Sequence, residues 1–172
     1  MLFRDFHLNK YFSFSGTSIM FNNKIKSQDF CILIADDDDD DQLMLISAFR
    51  EVGLDGPIKT IANGEELMNY LLKQGKYEDS KNETPHLILL DLNMPKKDGR
   101  FVLQELKKNQ KLNKIPLIVL STSFNPEDIS ISYELGANSF ISKPSSYTEL
   151  MKIAKVIKEY WVDAVLIPKT VL

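Results

Sequence analysis

The sequence has a single cysteine, no long apolar run and no basic stripe, and each of these shortages excludes a class of protein. Cys31 is the only cysteine, so no intramolecular disulfide can form, and its apolar neighbours favour a buried, unreactive thiol. No stretch approaches the roughly 18–20 uninterrupted apolar residues of a membrane-spanning helix. The formal net charge is −3 without a Lys/Arg-rich stripe, which argues against nucleic-acid binding. We therefore expect a cytoplasmic protein that binds neither membrane nor nucleic acid.

The overall composition is that of one globular domain. Of the 172 residues, 44% are hydrophobic and 26% are charged, which is typical of a folded domain of this size. The apolar residues at the start of the chain are broken by polar ones and make a poor signal peptide. We expect an N-terminal extension over 1–28, disordered or upstream of a true start at Met20, followed by the domain over 29–166 and a tail over 167–172.

Apolar runs alternate with helical patterns from residue 30 onward. The runs predict strands at 31–35, 57–62, 86–91, 115–122 and 138–144, and a helical pattern follows each of them. Polar residues do not alternate within these runs, which is typical of parallel strands buried on both sides. The sequence therefore predicts an α/β fold, a doubly wound five-stranded parallel sheet with helices on both faces.

Capping residues support the predicted helices. Asn63 and Glu66 have the spacing of a capping box. The segment NPEDISISYELG begins with a capping Asn and ends at Gly136, where a glycine is expected after a helix. The last helix, predicted over 146–166, carries an apolar face that includes Tyr160.

Polar side chains stand where the predicted strands end. In chain order they are Asp36 and Asp37, Asp91, Ser121 and Thr122, and Lys143. Each alone is more often a helix cap, a turn residue or a surface charge. In a parallel sheet, however, the carboxyl ends of the strands meet at one edge, and that edge is where ligands bind. The fold thus predicts a cluster of carboxylates with a hydroxyl and an ammonium beside them.

Such a cluster favours a bound cation and a phosphoryl group. Carboxylates in contact repel one another and do not all stay ionised without a positive charge. Oxygen ligands of this kind suit Mg²⁺, which takes one or two carboxylates and leaves room for phosphate oxygens. A lysine and a serine can donate to a phosphoryl group, and a carboxylate can become an aspartyl phosphate.

Four motifs in this order resemble the receiver domain of two-component response regulators. They are ILIADD, LLDLNMPKKDG, VLSTS and FISKP, and the resemblance covers roughly residues 29–166. The segments ADDDDDDQL and EDISISYELGANSF are similar to single-domain regulators that partner bacterial phytochromes. The resemblance implies the flavodoxin-like (βα)5 receiver fold and a signalling protein rather than an enzyme.

The resemblance also implies roles for the residues at the strand ends. Asp91 would be the phosphoacceptor, which takes a phosphoryl group from a histidine kinase. Mg²⁺ would be bound by Asp36, Asp37, Asp91 and the backbone carbonyl of Asn93. Lys143 would hold the phosphoryl group, and its bond to the following proline is expected to be cis.

Two further residues would transmit the signal in this family. Ser121 would be the switch hydroxyl that turns towards the aspartyl phosphate. Phe140, three residues before the lysine, would be the aromatic side chain whose rotamer follows that hydroxyl. The rest of the aspartate run has structural roles in this interpretation: Asp38 caps the first helix, and 39–41 lie in its first turn.

Three other interpretations of the motifs fit the sequence less well. A calcium-binding EF-hand loop that begins at Asp36 would need Gly and Glu where the chain has Asp41 and Ser47, so it fails. A haloacid-dehalogenase-like phosphatase could use Asp36 and Asp38, but it needs an acidic pair after the lysine that this sequence does not supply. A receiver fold that acts only as an unphosphorylated scaffold is disfavoured because all the site positions carry competent groups.

The expected partners are proteins. The resemblance implies a sensor histidine kinase, phytochrome-like in type, or a histidine phosphotransfer protein, and a downstream protein target. The face formed by the fourth helix, fifth strand and fifth helix is the expected surface for a target or for a homodimer. Only six residues follow Leu166, so we expect the signal to leave by protein contact or onward phosphotransfer.

Overall fold

The structure is a computed structural model that describes residues 25–78 and 84–167. Most of the predicted N-terminal extension, including the alternative start at Met20, lies outside the described residues, as does the tail from 168 onward. The predicted domain is described except for 79–83.

Five strand–helix pairs follow one another along the described chain. They are β1 (Ile32–Ala35) and α1 (Asp39–Glu51), β2 (Ile58–Ile61) and α2 (Gly64–Leu72), β3 (Leu87–Leu90) and α3 (Gly99–Lys108), β4 (Leu117–Ser121) and α4 (Pro126–Glu134), and β5 (Ser139–Ser142) and α5 (Tyr147–Ile157). The strands form one parallel sheet in the order β2-β1-β3-β4-β5. The predicted doubly wound sheet is confirmed.

Each central strand buries both of its faces. In β1, Leu33 packs with the side chains of α2 and α3, whereas Ile32 and Ile34 pack with those of α1 and α5. Strand residues of β1 and β3 are all fully buried. This two-sided burial explains why the strands appear in the sequence as continuous apolar runs.

The strand order brings the first and third strand ends together. β1 pairs with β2 on one side and β3 on the other, with Ala35 opposite Leu90. The strands that follow β1 are therefore added first on one side of it, as β2, and then on the other side, from β3 onward, so the strand order reverses between β1 and β3. Ligand sites in such sheets lie at this reversal point, beyond the carboxyl ends of the strands.

Side-chain caps begin the helices as the sequence predicted, with one difference. Asn63 Oδ1 accepts from the backbone N–H of Glu66 at 2.9 Å, but the Glu66 carboxylate is engaged by Lys76 and Tyr77. The hydrogen bond from the Glu66 N–H to Asn63 is therefore present as the predicted capping box requires, whereas the Glu66 carboxylate links α2 to the segment that follows it. Gly136 follows α4 with φ of 95°, a conformation that glycine adopts without strain.

The predicted last helix changes its winding after residue 157. Residues Lys158–Ala164 form a π-helix, in which the backbone N–H of Val165 donates to the Tyr160 carbonyl. The wider turn brings Val162 into the core, where it is 3% exposed, and leaves Tyr160 54% exposed. The prediction that Tyr160 lies on the apolar face was wrong because it assumed an α-helical period throughout.

Candidate functional site at the carboxyl edge of the sheet

Three carboxylates converge where β1 and β3 end. Oxygen atoms of Asp36, Asp37 and Asp91 lie within 4.8 Å of one another. Asp36 and Asp91 are buried, whereas Asp37 is exposed. The sheet fixes the two buried residues directly, since the Asp36 N–H donates to the Ile61 carbonyl and the Asp91 N–H donates to the Ala35 carbonyl. The predicted acidic cluster is therefore a product of strand pairing.

Backbone amides orient one oxygen of each buried carboxylate. Asp36 Oδ1 accepts from the Asp38 N–H at 3.1 Å, and Asp91 Oδ1 accepts from the Asn93 N–H at 3.0 Å. The second oxygen of each carboxylate is thereby turned towards Lys143. Gly99 packs against the Asp91 backbone so closely that an added Cβ would lie 2.4 Å from the Asp91 carbonyl oxygen.

Lys143 extends from the end of β5 into the acidic cluster. Its Nζ lies 2.8 Å from Asp36 Oδ2 and 2.7 Å from Asp91 Oδ2. It also donates to Asp41 Oδ2 at 2.7 Å. Sequence reasoning assigned Asp41 only to the first turn of α1 and missed this contact. No signal in the sequence distinguishes Asp41 from its neighbours, because every residue from 36 to 41 is an aspartate.

Gln42 is a second residue that sequence reasoning missed. It is buried, and its side-chain Nε2 donates to the backbone carbonyl of Asp36 at 2.6 Å. Asp38 caps the same helix, as predicted, and its carboxylate accepts from the N–H groups of Asp40 and Asp41. Two side chains therefore hold the junction between β1 and α1 in place: Gln42 bonds to the backbone before the helix, and Asp38 bonds to the first amides of the helix.

The electrostatics of the cluster follow from burial and the single ammonium. Burial raises the pKa of Asp36, although the hydrogen bond and charge of Lys143 oppose the shift. Burial alone would lower the pKa of Lys143, but hydrogen bonds to three carboxylates outweigh it and raise that pKa. Lys143 is therefore a permanent cation at physiological pH.

Ser121 ends β4 beside the cluster and is fully buried. Its backbone carbonyl accepts from the Lys143 N–H at 2.9 Å, which ties β4 to the end of β5. Its Oγ accepts from the Ser123 N–H at 3.3 Å. The hydroxyl therefore has one hydrogen bond to its own loop and a donor proton available for a second partner.

Phe140 lies in the middle of β5, opposite Val119 of β4. Its side chain is partly buried against the core that α2 and α3 share with the sheet. The Phe140 N–H donates to the phenol oxygen of Tyr133 on α4 at 3.2 Å. The predicted switch aromatic therefore lies on the edge strand of the sheet, and its backbone is bonded to a side chain of α4.

The peptide bond between Lys143 and Pro144 differs from the expectation. The described residues contain no cis peptide bond, so this bond is trans and the expected cis form was wrong. A trans X-Pro bond is the intrinsically preferred form by about 0.5–1 kcal/mol. Lys143 reaches the carboxylates with this geometry.

The converging side chains fit a hard divalent cation. The three carboxylates form an all-oxygen donor set within 4.8 Å, which suits Mg²⁺ or Mn²⁺ rather than a metal that prefers sulfur or imidazole. The exposure of Asp37 gives solvent access to the cluster.

Within residues 25–78 and 84–167, no helix is both long enough and apolar enough to cross a membrane.

Comparisons with known proteins agree with this fold. Residues 32–155 match the sequence profile of the response regulator receiver domain. The response regulator Rcp1 of Synechocystis sp. is 39% identical over 137 residues, which cover 80% of this chain and 92% of Rcp1. The solved structure of the phosphorylated cyanobacterial phytochrome response regulator RcpA is 38% identical, with a TM-score of 0.77 and coverage of 82% and 99%. The Mn²⁺-bound form of Rcp1 gives a TM-score of 0.75 at 38% identity, with coverage of 81% and 99%.

Proposed function

The chain belongs to the response regulator receiver domain family, and from that premise we propose that Asp91 accepts a phosphoryl group from a sensor histidine kinase. The observation that carries this proposal is the contact between Lys143 Nζ and the buried Asp91 carboxylate at 2.7 Å. The Lys143 ammonium lies beside the proposed nucleophile, where it could also donate to a phosphoryl oxygen added to Asp91. A phosphoacceptor needs this combination of a carboxylate and a fixed cation.

The transfer can be written with its atoms balanced. An Asp91 carboxylate oxygen attacks the phosphorus of a phosphohistidine, the new P–O bond forms and the P–N bond breaks. The leaving imidazole keeps the bonding electron pair and takes up a proton. Lys143 then donates to a phosphoryl oxygen, and the charge of its ammonium offsets the charge that the phosphoryl group adds.

Mg²⁺ is the cation that we propose for the acidic cluster. Asp36, Asp37 and Asp91 would hold it with their carboxylates, and Asn93 with its backbone carbonyl. When bound, the ion supplies positive charge against both the carboxylates and the phosphoryl oxygens. The Asp38 and Asn93 amides keep the carboxylates in place through their hydrogen bonds.

Signal transmission is proposed to begin at Ser121. Its hydroxyl proton is available to a phosphoryl oxygen on Asp91, and such a bond would draw the end of β4 towards the site. Phe140 would then change its rotamer in the space between α4 and the sheet. The readout is a shift of populations on the face formed by α4, β5 and α5.

The partners follow from the family and from the similar proteins. RcpA is described as a phytochrome response regulator, which supports a phytochrome-like histidine kinase as the phosphodonor, or a histidine phosphotransfer protein in its place. We propose that the chain acts in the cytoplasm and that a downstream protein or a second copy docks on the α4–β5–α5 face. Tyr133, which is 50% exposed on α4, lies on this face.

Phosphotransfer from a small donor tests the proposal directly. The protein is incubated with acetyl phosphate and Mg²⁺, and its intact mass is followed with time. We expect the mass to increase by one phosphoryl group, and we expect the increase to require Mg²⁺. The Asp91→Asn variant is the matched control and should not gain mass, because its amide is not nucleophilic.

The same experiment separates the competing functions. A wild-type protein that gains no mass from either acetyl phosphate or a phosphorylated kinase would favour a pure interaction scaffold. Rapid turnover of phosphate esters would instead favour a phosphatase. The proposal that Asp91 accepts a phosphoryl group as a signal would fail in either case.

A further inference from the structure

A chain of hydrogen bonds joins α3, α4 and the loop that follows Ser121. The guanidinium of Arg100, at the start of α3, donates to Asp128 Oδ1 from Nε at 3.0 Å and from Nη2 at 2.6 Å. Asp128 Oδ2 accepts from the Ser123 hydroxyl at 2.6 Å. We call Arg100, Asp128 and Ser123 the loop tether, since they link two helices to one loop residue.

The loop tether is well formed in both its geometry and its charge. The Asp128 side chain is 12% exposed and that of Arg100 is 31% exposed, so water screens the pair only in part. The hydrogen bond from Ser123, followed by those from Arg100, lowers the pKa of Asp128. The carboxylate is therefore ionised at neutral pH, and both of its oxygens are committed to the tether.

Ser123 connects the tether to the proposed switch hydroxyl. Its backbone N–H donates to Ser121 Oγ at 3.3 Å, while its own hydroxyl oxygen accepts from the Asn125 N–H at 3.2 Å. Ser123 is thus held at its side chain by Asp128 and at its backbone by Ser121. Any movement of the Ser121 hydroxyl towards Asp91 must either break its bond to Ser123 or carry Ser123 along.

We propose that Arg100 and Asp128 are positioning residues that hold Ser121 in its resting orientation and so determine how readily the switch is made. The inference rests on the proposed function of Ser121 and goes beyond it. The tether's charged hydrogen bonds stabilise the arrangement in which Ser123 is fixed near α4. A contact that is stronger in the resting state than in the phosphorylated state shifts the population towards rest.

Two variants break the tether at different points. Arg100→Ala removes the anchor from α3, and Asp128→Ala removes the acceptor for both partners. Each should bind beryllofluoride with Mg²⁺, a mimic of the aspartyl phosphate, about threefold to tenfold more tightly than the wild type. The double variant should gain less than the product of the two single gains, because both act through one pathway.

A remote ion pair provides the control. Lys158 lies 2.8 Å from Asp163 beyond the end of α5, with side-chain exposures of 18% and 45%. Lys158→Ala removes a partly buried ion pair at a distance from the loop, so it should leave beryllofluoride affinity unchanged within about twofold. Arg100→Lys keeps the charge but loses the paired donors. Its beryllofluoride affinity should therefore lie between that of the wild type and the tighter binding of Arg100→Ala.

Hydrogen exchange tests the tether without any phosphoryl mimic. The Ser123 amide proton, followed by NMR, should exchange faster in Arg100→Ala and Asp128→Ala than in the wild type, but not in Lys158→Ala. Unchanged exchange would overturn the proposal, as would faster exchange with no gain in beryllofluoride affinity. If the wild type binds no beryllofluoride at all, the proposed function fails, and the switch role of the tether fails with it. The exchange of the Ser123 amide then still shows whether the tether contacts exist.

Discussion

Lys143 offers one positive charge to a larger number of negative ones. Its ammonium is in contact with Asp36, Asp41 and Asp91, and Asp37 stands beside them at the solvent edge. One ammonium cannot neutralise this many carboxylates. Burial raises the pKa of Asp36, and the charge of Asp91 adds to that shift. The site therefore has electrostatic capacity for a divalent cation in addition to the lysine.

The aspartate run allows a positional test of this interpretation. Asp37→Ala removes one carboxylate of the cluster and should weaken Mg²⁺ binding at least tenfold, whereas Asp40→Ala should change it less than twofold, since the Asp40 side chain is an exposed member of the first helical turn. Isothermal titration with MgCl₂ measures both. Equal losses in the two variants would mean that the carboxylates were assigned to the wrong positions.

Among the helical elements, the end of α5 departs most from a regular pattern. The π-helix over Lys158–Ala164 adds a residue to the turn, so the side chains after it are displaced around the helix axis. Val162 packs with the core that α1 and α5 share, while Tyr160 is exposed and stacks edge-on against Trp161 at 5.1 Å. A hydrophobic face with a period of 3.6 residues cannot reveal such a shift.

A pair of truncations tests the winding of this element. Val162→Ala should lower the free energy of unfolding by about 2 kcal/mol, because it removes buried methyl groups and leaves a cavity. Tyr160→Ala should cost well under 1 kcal/mol, since most of that side chain is in water. Urea unfolding followed by Trp161 fluorescence measures both. A regular α-helix would give the reverse order, with the tyrosine as the costly position.

For the molecule as a whole, the sequence predicted what depends on periodicity and topology. The alternation of apolar runs and helix caps indicates a parallel sheet, and the ends of its strands indicate where Asp36, Asp91 and Lys143 meet. It did not predict contacts that arise when separate helices pack. Arg100 and Asp128 are 28 residues apart along the chain, and nothing in their spacing pairs them.

Local geometry at the site was also beyond the sequence pattern. The contact of Asp41 with Lys143 depends on which side of the first helical turn faces the cluster, and an unbroken aspartate run gives no periodicity from which to infer it. The Lys143–Pro144 bond was expected to be cis by family resemblance alone, and it is trans in the structure. The roles of Asp91, Ser121 and Phe140 stay predictions until phosphotransfer is measured.

Binding at one edge of the sheet should stabilise the entire fold. A ligand that binds only the folded protein adds stability according to its concentration relative to its dissociation constant, about 2.7 kcal/mol at one hundred times that constant. For a domain of this size this corresponds to a rise in Tm of roughly 5–10 °C. The acidic cluster is assembled by the ends of β1 and β3, so unfolding would disperse its carboxylates and release an ion bound to them.

Calorimetry with and without MgCl₂ therefore provides a test at the scale of the whole molecule. We expect Tm to rise with Mg²⁺ concentration, to return to its starting value on addition of EDTA, and to respond much less in Asp37→Ala than in Asp40→Ala. A rise of equal size in both variants would indicate general ionic screening of an acidic chain. The difference between the two variants, rather than the rise alone, thus tests whether Mg²⁺ binds at the three converging carboxylates, because screening acts on every surface aspartate alike.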